Sequence, residues 1–462
     1  MQSVECRILL CIPHSALFFI NPHFVKNTYG EKMNYIEYKK EISHKGHYDV
    51  VVIGGGPSGV CAAIESARAG KRTLLVEAYG MLGGMATTSL VSPFMTVYDR
   101  DGDELTVGGL YREIVDRLKE FSAVIPPEET DSPSVHTSFI EKYHRHVTPF
   151  LPFYLQIVLD DMVRESGVEV LLYTRFADCI CQDGKIKSAI LCALEGLISV
   201  SADVFIDCSG NADVAAAAGV DTYKGDEESG IPQPGTLMFE VGGVDQAAYE
   251  AYGQRPPRPV KAYRTPVEGR YAVNHFRVFD IDATNSESMT RGHMEARRQV
   301  LDALRVLHEE TPGFENAEIL QVASVLGVRE SRHILGKYKI TVADVSCGTK
   351  FDDRIAVYGF GMDVHPRNAD ITGNFKIEVA KKYYIPYSSM LPEGCDNLIV
   401  AGKTVSCESQ AAGGLRCMPA AMAMGQAAGL ASAMAIDGGI LPSEIDASTL
   451  QTKLLAHGAI ID

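Results

Sequence analysis

None of the eleven cysteines in this 462-residue chain belongs to a C-x-x-C pair. They stand at 6, 11, 61, 179, 181, 192, 208, 347, 395, 407 and 417. That scatter disfavours a zinc knuckle or an iron–sulfur cluster, so no metal site is expected, and the odd count points to reduced thiols in a cytoplasm. Cys179 and Cys181 alternate along a predicted strand and are expected to share one face as apolar filling. Dense Lys/Arg runs are also missing, and the formal net charge is −16. Phosphate-backbone binding therefore has little electrostatic support, which excludes a nucleic-acid surface. A bilayer span is not expected either. The apolar stretch Ile8 to Ile20 is too short and is interrupted by Pro13, His14 and Ser15. It has no clear small-residue cleavage site, so residues 1–47 are read as a disordered leader or an over-long start before Met33, with a poor signal peptide as the alternative.

What remains is an ordinary globular composition, 46% apolar and 22% charged, long enough for two domains. Its most informative stretch is Tyr48 to Glu77, YDVVVIGGGPSGVCAAIESARAGKRTLLVE. Val50 to Ile53 reads as a buried strand, and Gly54, Gly56 and Gly59 form the G-x-G-x-x-G turn into a helix. Gly54 permits the tight turn, Gly56 clears room for a pyrophosphate, and Gly59 lets the helix lie against the strand. The helix N-terminus offers N–H groups to phosphates. Glu77 ends the second strand, where a carboxylate accepts the ribose hydroxyls of an adenosine and repels the extra phosphate of NADP. FAD and NAD share that half, so this stretch leaves the choice open.

Downstream, Gly80, Gly83 and Gly84 precede a small polar run where the chain can wrap a dinucleotide. Gly109 to Ser122 has helical period, Glu128 to Ser138 reads as a loop or lid, and Leu155 to Glu165 as a helix. A hairpin joins Phe176–Cys181 to Ile186–Ala193. Strands are then expected at Ile198–Val200 and Val204–Ile206, the second delivering Ser209 and Gly210 to the crevice. Between Tyr223 and Tyr384 the chain is richer in charge and aromatics, with ionisable concentrations at 328–333 and 361–366. Asn397 to Gly402 reads as a short strand, and Pro419 opens a helix over Ala420–Ala435 whose N-terminus can face negative charge. Met422 and Met424 are expected in the core.

Taken together, these segments resemble the FAD-dependent oxidoreductase family, which is related to flavoproteins of the fumarate-reductase, glutathione-reductase and heterodisulfide-reductase types. The resemblance runs from residue 48 to about 435. It rests on the fingerprint, LGGMAT at 82–87, FIDCSGNADVA at 205–215, VRESRHILGKY at 328–338, and NLIVAGK through RCMPAAMAMGQAAG ending at Gly429. It implies an α/β fold with a discontinuous Rossmann-type FAD-binding domain and an inserted α+β substrate or cap domain. The expected division is 48–222 (with an excursion or lid at 85–150) and 385–440 for FAD, 223–384 for the cap, and 441–462 as a tail. It also implies non-covalent FAD, with adenosine on Gly54–Gly59 and Glu77, pyrophosphate near Gly83 and Gly84, and ribityl and ring near Gly210, Gly402 and Gly414. Many relatives carry an aspartate after the late strand's glycine, whereas Lys403 follows Gly402 here. The iron–sulfur cluster of some relatives is not carried over, because the cysteine spacing provides no site.

No second complete G-x-G-x-x-G follows, since Gly359 and Gly361 lack the third glycine. Electrons are thus expected from a small-molecule substrate, a partner, or transient nicotinamide binding. The leading expectation is hydride transfer between a small organic substrate, with or without a carboxylate, and flavin N5. Arg416 would hold a carboxylate or oxyanion, and His365 would act as general acid/base. Arg329 and Arg332 are anion-binding candidates, one of them a candidate partner of Glu330. The rival is a flavin-containing electron-transfer protein serving a partner.

Overall fold

The computed structural model describes residues 7–8, 38–137, 144–252, 260–368, 375–376 and 379–462. Most of the predicted leader lies outside the described residues. Seven strands build the main sheet. They are β1 (Ser43–Ile53), β2 (Thr73–Val76), β3 (Glu169–Leu171), β4 (Arg175–Gln182), β5 (Lys185–Ala193), β6 (Gly196–Asp207) and β7 (Leu398–Val400). The order is β3-β2-β1-β6-β5-β4, with β7 also on β6. β3, β2, β1, β6 and β7 run parallel, whereas β4, β5 and β6 form an antiparallel meander.

β6 is one strand where two were expected. Ser201 to Asp203 reads as a polar break, yet the backbone continues its ladder to β1 through Ser201 opposite His47 and Ala202 opposite Tyr48. The first half of β6 also pairs with β5 and its last residues with β7. Parallel pairing brings the C-terminal ends of β1, β2, β6 and β7 to one edge. Their following loops meet there, at the crevice where open α/β sheets bind ligands.

Helix α1 (Pro57–Arg68) starts at that edge, with proline in its first turn. It packs against α4 (Met418–Gly438), an Ala, Met and Gly helix that includes buried Met422 and Met424. Its length and hydropathy suit a bilayer, but 83% of its apolar window is buried in protein. The expected excursion at 85–150 contributes to the same core. Phe94 stacks on Phe150 at 4.2 Å, and α2 (Leu110–Glu120) buries Leu110, Ile114, Val115 and Leu118. α3 spans Pro152–Glu165. The C-terminal stretch is ordered as well, since helix Ala447–Ala456 buries Leu450 and Leu454 in that core.

A second core lies under a four-stranded antiparallel sheet ordered Ala262–Arg264, Tyr271–Val273, Phe239–Gly242, Glu318–Val322. The long helix Ser286–Glu310 covers it with Gly292, Ala296, Val300, Ala303 and Leu307, a spacing of three and four. Asn285 caps this helix by accepting the Ser288 N–H at 2.8 Å. From this body the arm at 328–334 and the strand Asp363–Val364 lead back to the crevice.

Candidate functional site

At the mouth of β1 the three fingerprint glycines occupy different surroundings. Gly54 has φ +101°, and a Cβ there would collide with the Cys208 backbone. A Cβ on Gly59 would strike the Gly54 carbonyl. Gly56 is the open one, with its nearest neighbour 3.9 Å away at Gly84 Cα. That space, beside the N-terminus of α1, fits a pyrophosphate. Gly84 lies over it, backbone to backbone with Gly56, and Gly83 donates its N–H to the Gly55 carbonyl at 2.8 Å. Glu77 is buried and accepts the Gly55 N–H at 2.7 Å and the Tyr79 N–H at 2.8 Å. Burial raises its carboxyl pKa against those backbone bonds. The acid is thus locked at the strand end, with lone pairs left for ribose hydroxyls.

The next loops complete the edge. Gly210 has φ +75° and lies beside the Lys403 side chain. Gly402, with φ +97°, sits against Ser58, so the two loops touch the first turn of α1. Gly414 is accounted for inside the chain, because a Cβ there would collide with the Tyr383 hydroxyl. Tyr383 in turn donates to the Phe360 carbonyl at 3.0 Å.

The chemistry-bearing side chains converge on Asp363. His365 Nε2 lies 3.0 Å from Asp363 Oδ2. Arg416 Nη2 donates to the Asp363 carbonyl at 2.7 Å and lies 3.3 Å from Oδ2. Asp363 keeps 30% side-chain exposure, so the cluster opens onto space. His365 Nδ1 and Arg416 Nε are buried and have no partner among the described residues, a pair of polar atoms suited to a ligand. Arg329 Nη1 donates to the Pro234 carbonyl at 2.7 Å and to Thr236 Oγ1 at 2.6 Å.

Burial alone would raise the Asp363 carboxyl, but His365, then Arg416 and Arg329, hold it well below the usual carboxylate range. Burial, reinforced by Arg329, pulls His365 down to about 3. The resting pair is a carboxylate and a neutral imidazole. Burial and then Arg416 lower Arg329 to about 9 and Lys403 to about 8. Lys261 and Arg277 are also lowered, mainly by burial, while Asp363 opposes the shift. Cations outnumber anions in this crevice, and each one's charge works against the next.

One expectation changes. Arg332 Nη1 donates to the Asn211 carbonyl at 3.2 Å and to Asp213 Oδ1 at 3.1 Å. Neither Arg329 nor Arg332 pairs with Glu330. Buried Glu330 instead accepts Arg367 Nη1 at 2.9 Å, the Gln233 N–H at 2.8 Å and the Ser409 hydroxyl, with His333 Nε2 at 3.7 Å. Lys403, at the position where many relatives have an aspartate, donates to the Val328 carbonyl at 2.8 Å. It ties the 328–334 arm to the late glycine loop.

The sequence profile described as FAD dependent oxidoreductase matches residues 49–454. The chain belongs to the FAD-dependent oxidoreductase family. It uses FAD and is an enzyme of that class. Similar curated proteins match over short stretches. The mitochondrial dihydrolipoyl dehydrogenase of Schizosaccharomyces pombe is 51% identical over 47 residues, 10% of this chain and 9% of that protein. The soluble pyridine nucleotide transhydrogenase of Marinomonas sp. is 54% identical over 41 residues, 9% of each. These matches span about a tenth of the relatives' own length. Among solved structures, p-nitrophenol 4-monooxygenase from Pseudomonas putida has 12% identity and a TM-score of 0.48, covering 89% of this chain and 84% of that one. A ternary complex of aklavinone-11 hydroxylase with FAD and aklavinone has 14% identity and a TM-score of 0.47, covering 86% and 63%.

In this FAD-dependent oxidoreductase, sequence reasoning missed Asp363, the hub of the cluster. The signal was available: Asp-x-His on a strand puts both side chains on one face. Lys261, Arg277 and His144 had no such signal. Lys261 and Arg277 reach Asp363's surroundings from segments flanking cap strands, and His144 from the excursion at 85–150, placements that no local pattern reveals.

Proposed function

We propose that this enzyme moves a hydride between a small carboxylate-bearing organic substrate and N5 of its flavin. The observation that carries the reading is the Asp363–His365–Arg416 constellation, set among cations with little compensating charge. Bound FAD supplies the two-electron acceptor or donor. The chain's part is binding and proton handling. Arg416 holds the carboxylate, with Arg329 as second cation. Asp363 fixes the His365 tautomer by accepting the Nε2 proton, which leaves Nδ1 as the atom that takes or returns the substrate's proton. The low His365 pKa belongs to a crevice crowded with cations. An anionic substrate offsets Arg329 and moves His365 toward the working range.

In this reading 48–222 and 385–440 hold FAD and 223–384 shapes the substrate side. The nine described cysteines, all free, support a reducing cytoplasm. The test is anaerobic mixing of the yellow protein with small hydroxy, amino and saturated dicarboxylic acids and with uncharged analogues. Bleaching by acids alone, lost in His365→Ala and Arg416→Ala with flavin retained, is the expected result. Bleaching by neutral compounds alone, or full turnover in both variants, overturns it.

A further inference from the structure

Away from the crevice, β4 carries two cysteines whose sulfurs touch. Cys179 Sγ and Cys181 Sγ lie 3.5 Å apart on the edge strand of the main sheet. The filling role expected from sequence fits half-buried Cys179, which packs against the core under the sheet, but not Cys181, which is exposed. Two residues of regular antiparallel strand advance about 6.8 Å, the outer limit of roughly 4.4–6.8 Å between Cα atoms that a disulfide tolerates. The β4–β5 ladder, however, shifts register between Ile180 and Cys181. The extra residue of that shift, Lys187, lies on β5, so β4 twists locally against its partner while its two cysteines stay on one face. The two thiols are also unequal. The contact with Cys179 lowers the Cys181 pKa against burial, while the same contact and burial raise Cys179. One sulfur is therefore the accessible nucleophile and the other its neighbour in reserve.

We propose that Cys179 and Cys181 form a reversible dithiol–disulfide site, oxidised by hydroperoxides and separate from the flavin crevice. The Cys181 thiolate attacks one oxygen of hydrogen peroxide. The O–O bond breaks, hydroxide leaves and takes up a proton as water, and Cys181 becomes a sulfenic acid. The Cys179 sulfur then displaces that hydroxyl. The S–S bond forms, the S–O bond breaks, and the Cys179 proton leaves with the hydroxyl as a second water. Two thiols lose two electrons and one peroxide gains them. A ring closed across the single residue Ile180 is strained, so a thiol such as dithiothreitol reopens it readily.

The test uses the flavin-loaded full chain, treated with stoichiometric hydrogen peroxide, alkylated, and mapped by peptide mass. The expected result is loss of two hydrogens from the peptide holding Cys179 and Cys181, two fewer titratable thiols per chain, and full reversal by dithiothreitol. Cys181→Ser abolishes the change, and Cys179→Ser leaves a sulfenic acid at Cys181 that dimedone traps. Exposed Cys181 makes its serine variant tolerable to the fold, and unchanged flavin content checks this. The proposal is overturned if both thiols remain alkylatable, if Cys181 proceeds to sulfinic acid while Cys179 stays free, or if Cys181 bonds instead to exposed Cys192 or Cys347.

Discussion

Asp363 and His365, two residues apart at the end of one short strand, meet through Oδ2 and Nε2 at 3.0 Å, and the other ring nitrogen is buried without a partner among the described residues. An acceptor that holds one nitrogen protonated determines which nitrogen is free to work. Asp363→Asn keeps the shape but can present a donor to Nε2 and favour the wrong tautomer. Turnover is expected to fall by about 10²–10⁴-fold, by analogy with the serine-protease triad, with flavin content unchanged. Steady-state rates beside visible spectra check this. A variant with undiminished turnover would separate the pair from the chemistry.

The cation at Lys403 gives a pH signature. Burial, then Arg416, bring its pKa to about 8, so the charge is lost as pH rises through that value. An anion bound nearby raises the pKa again, which couples binding to proton uptake. Malonate affinity for the flavin-loaded enzyme is expected to weaken above about pH 8, by up to about tenfold per pH unit for one coupled proton. Titration calorimetry in buffers of different ionisation enthalpy measures the protons taken up. Lys403→Met should remove that uptake.

His365 also links folding to acid. In the unfolded chain a histidine titrates near ~6.5, whereas folded His365 is held down to about 3. Between these values the unfolded state binds more protons, so stability present above the upper value is lost as pH falls, by at most about 1.4 kcal/mol per pH unit for this group. His144 and His275, each lowered to about 4 chiefly by burial, act in the same direction. His333 has the opposite sign. Although burial opposes it, Cys407 and Glu330 push it up to about 10, so its contribution is full below its unfolded value and lost as pH rises through 10. Urea midpoints measured from pH 7 to 4 should fall steeply, and His365→Asn should flatten that slope.

Much of this architecture was legible in the chain, for physical reasons that differ by residue. The fingerprint demands its own geometry, because Gly54 and Gly59 cannot carry a side chain against Cys208 and the Gly54 carbonyl, and Glu77 must end a strand to reach Gly55. Such constraints are local and show as spacing. α2 was readable from its period, since Leu110, Ile114, Val115 and Leu118 face one core. The pairing of Arg332 with Asp213 and of Glu330 with Arg367 was not readable. Both partnerships join segments distant in sequence, and charge identity alone does not choose between neighbours. Cys181 misled for a related reason: strand alternation gives the shared face but not the free edge that exposes it.

The tightest helix contact in the flavin half is a further place to test the link between packing and function. Gly425 and Gly429, one turn apart on α4, lie against the backbone carbonyls of Ser58 and Ala62 in α1. A Cβ at either position meets backbone, which cannot rotate away as a side-chain tip can, so the helices must separate. Overpacking of this kind costs about 1–3 kcal/mol. The displacement falls on the first turn of α1, whose N–H groups stand beside the open space at Gly56. Gly425→Ala should therefore lower both the melting temperature and the fraction of flavin retained through gel filtration. Gly429→Ala, one turn farther from the phosphate end, should cost comparable stability but release less flavin. Equal flavin loss in both variants would mean that retention follows global stability and not the position of the α1 N-terminus.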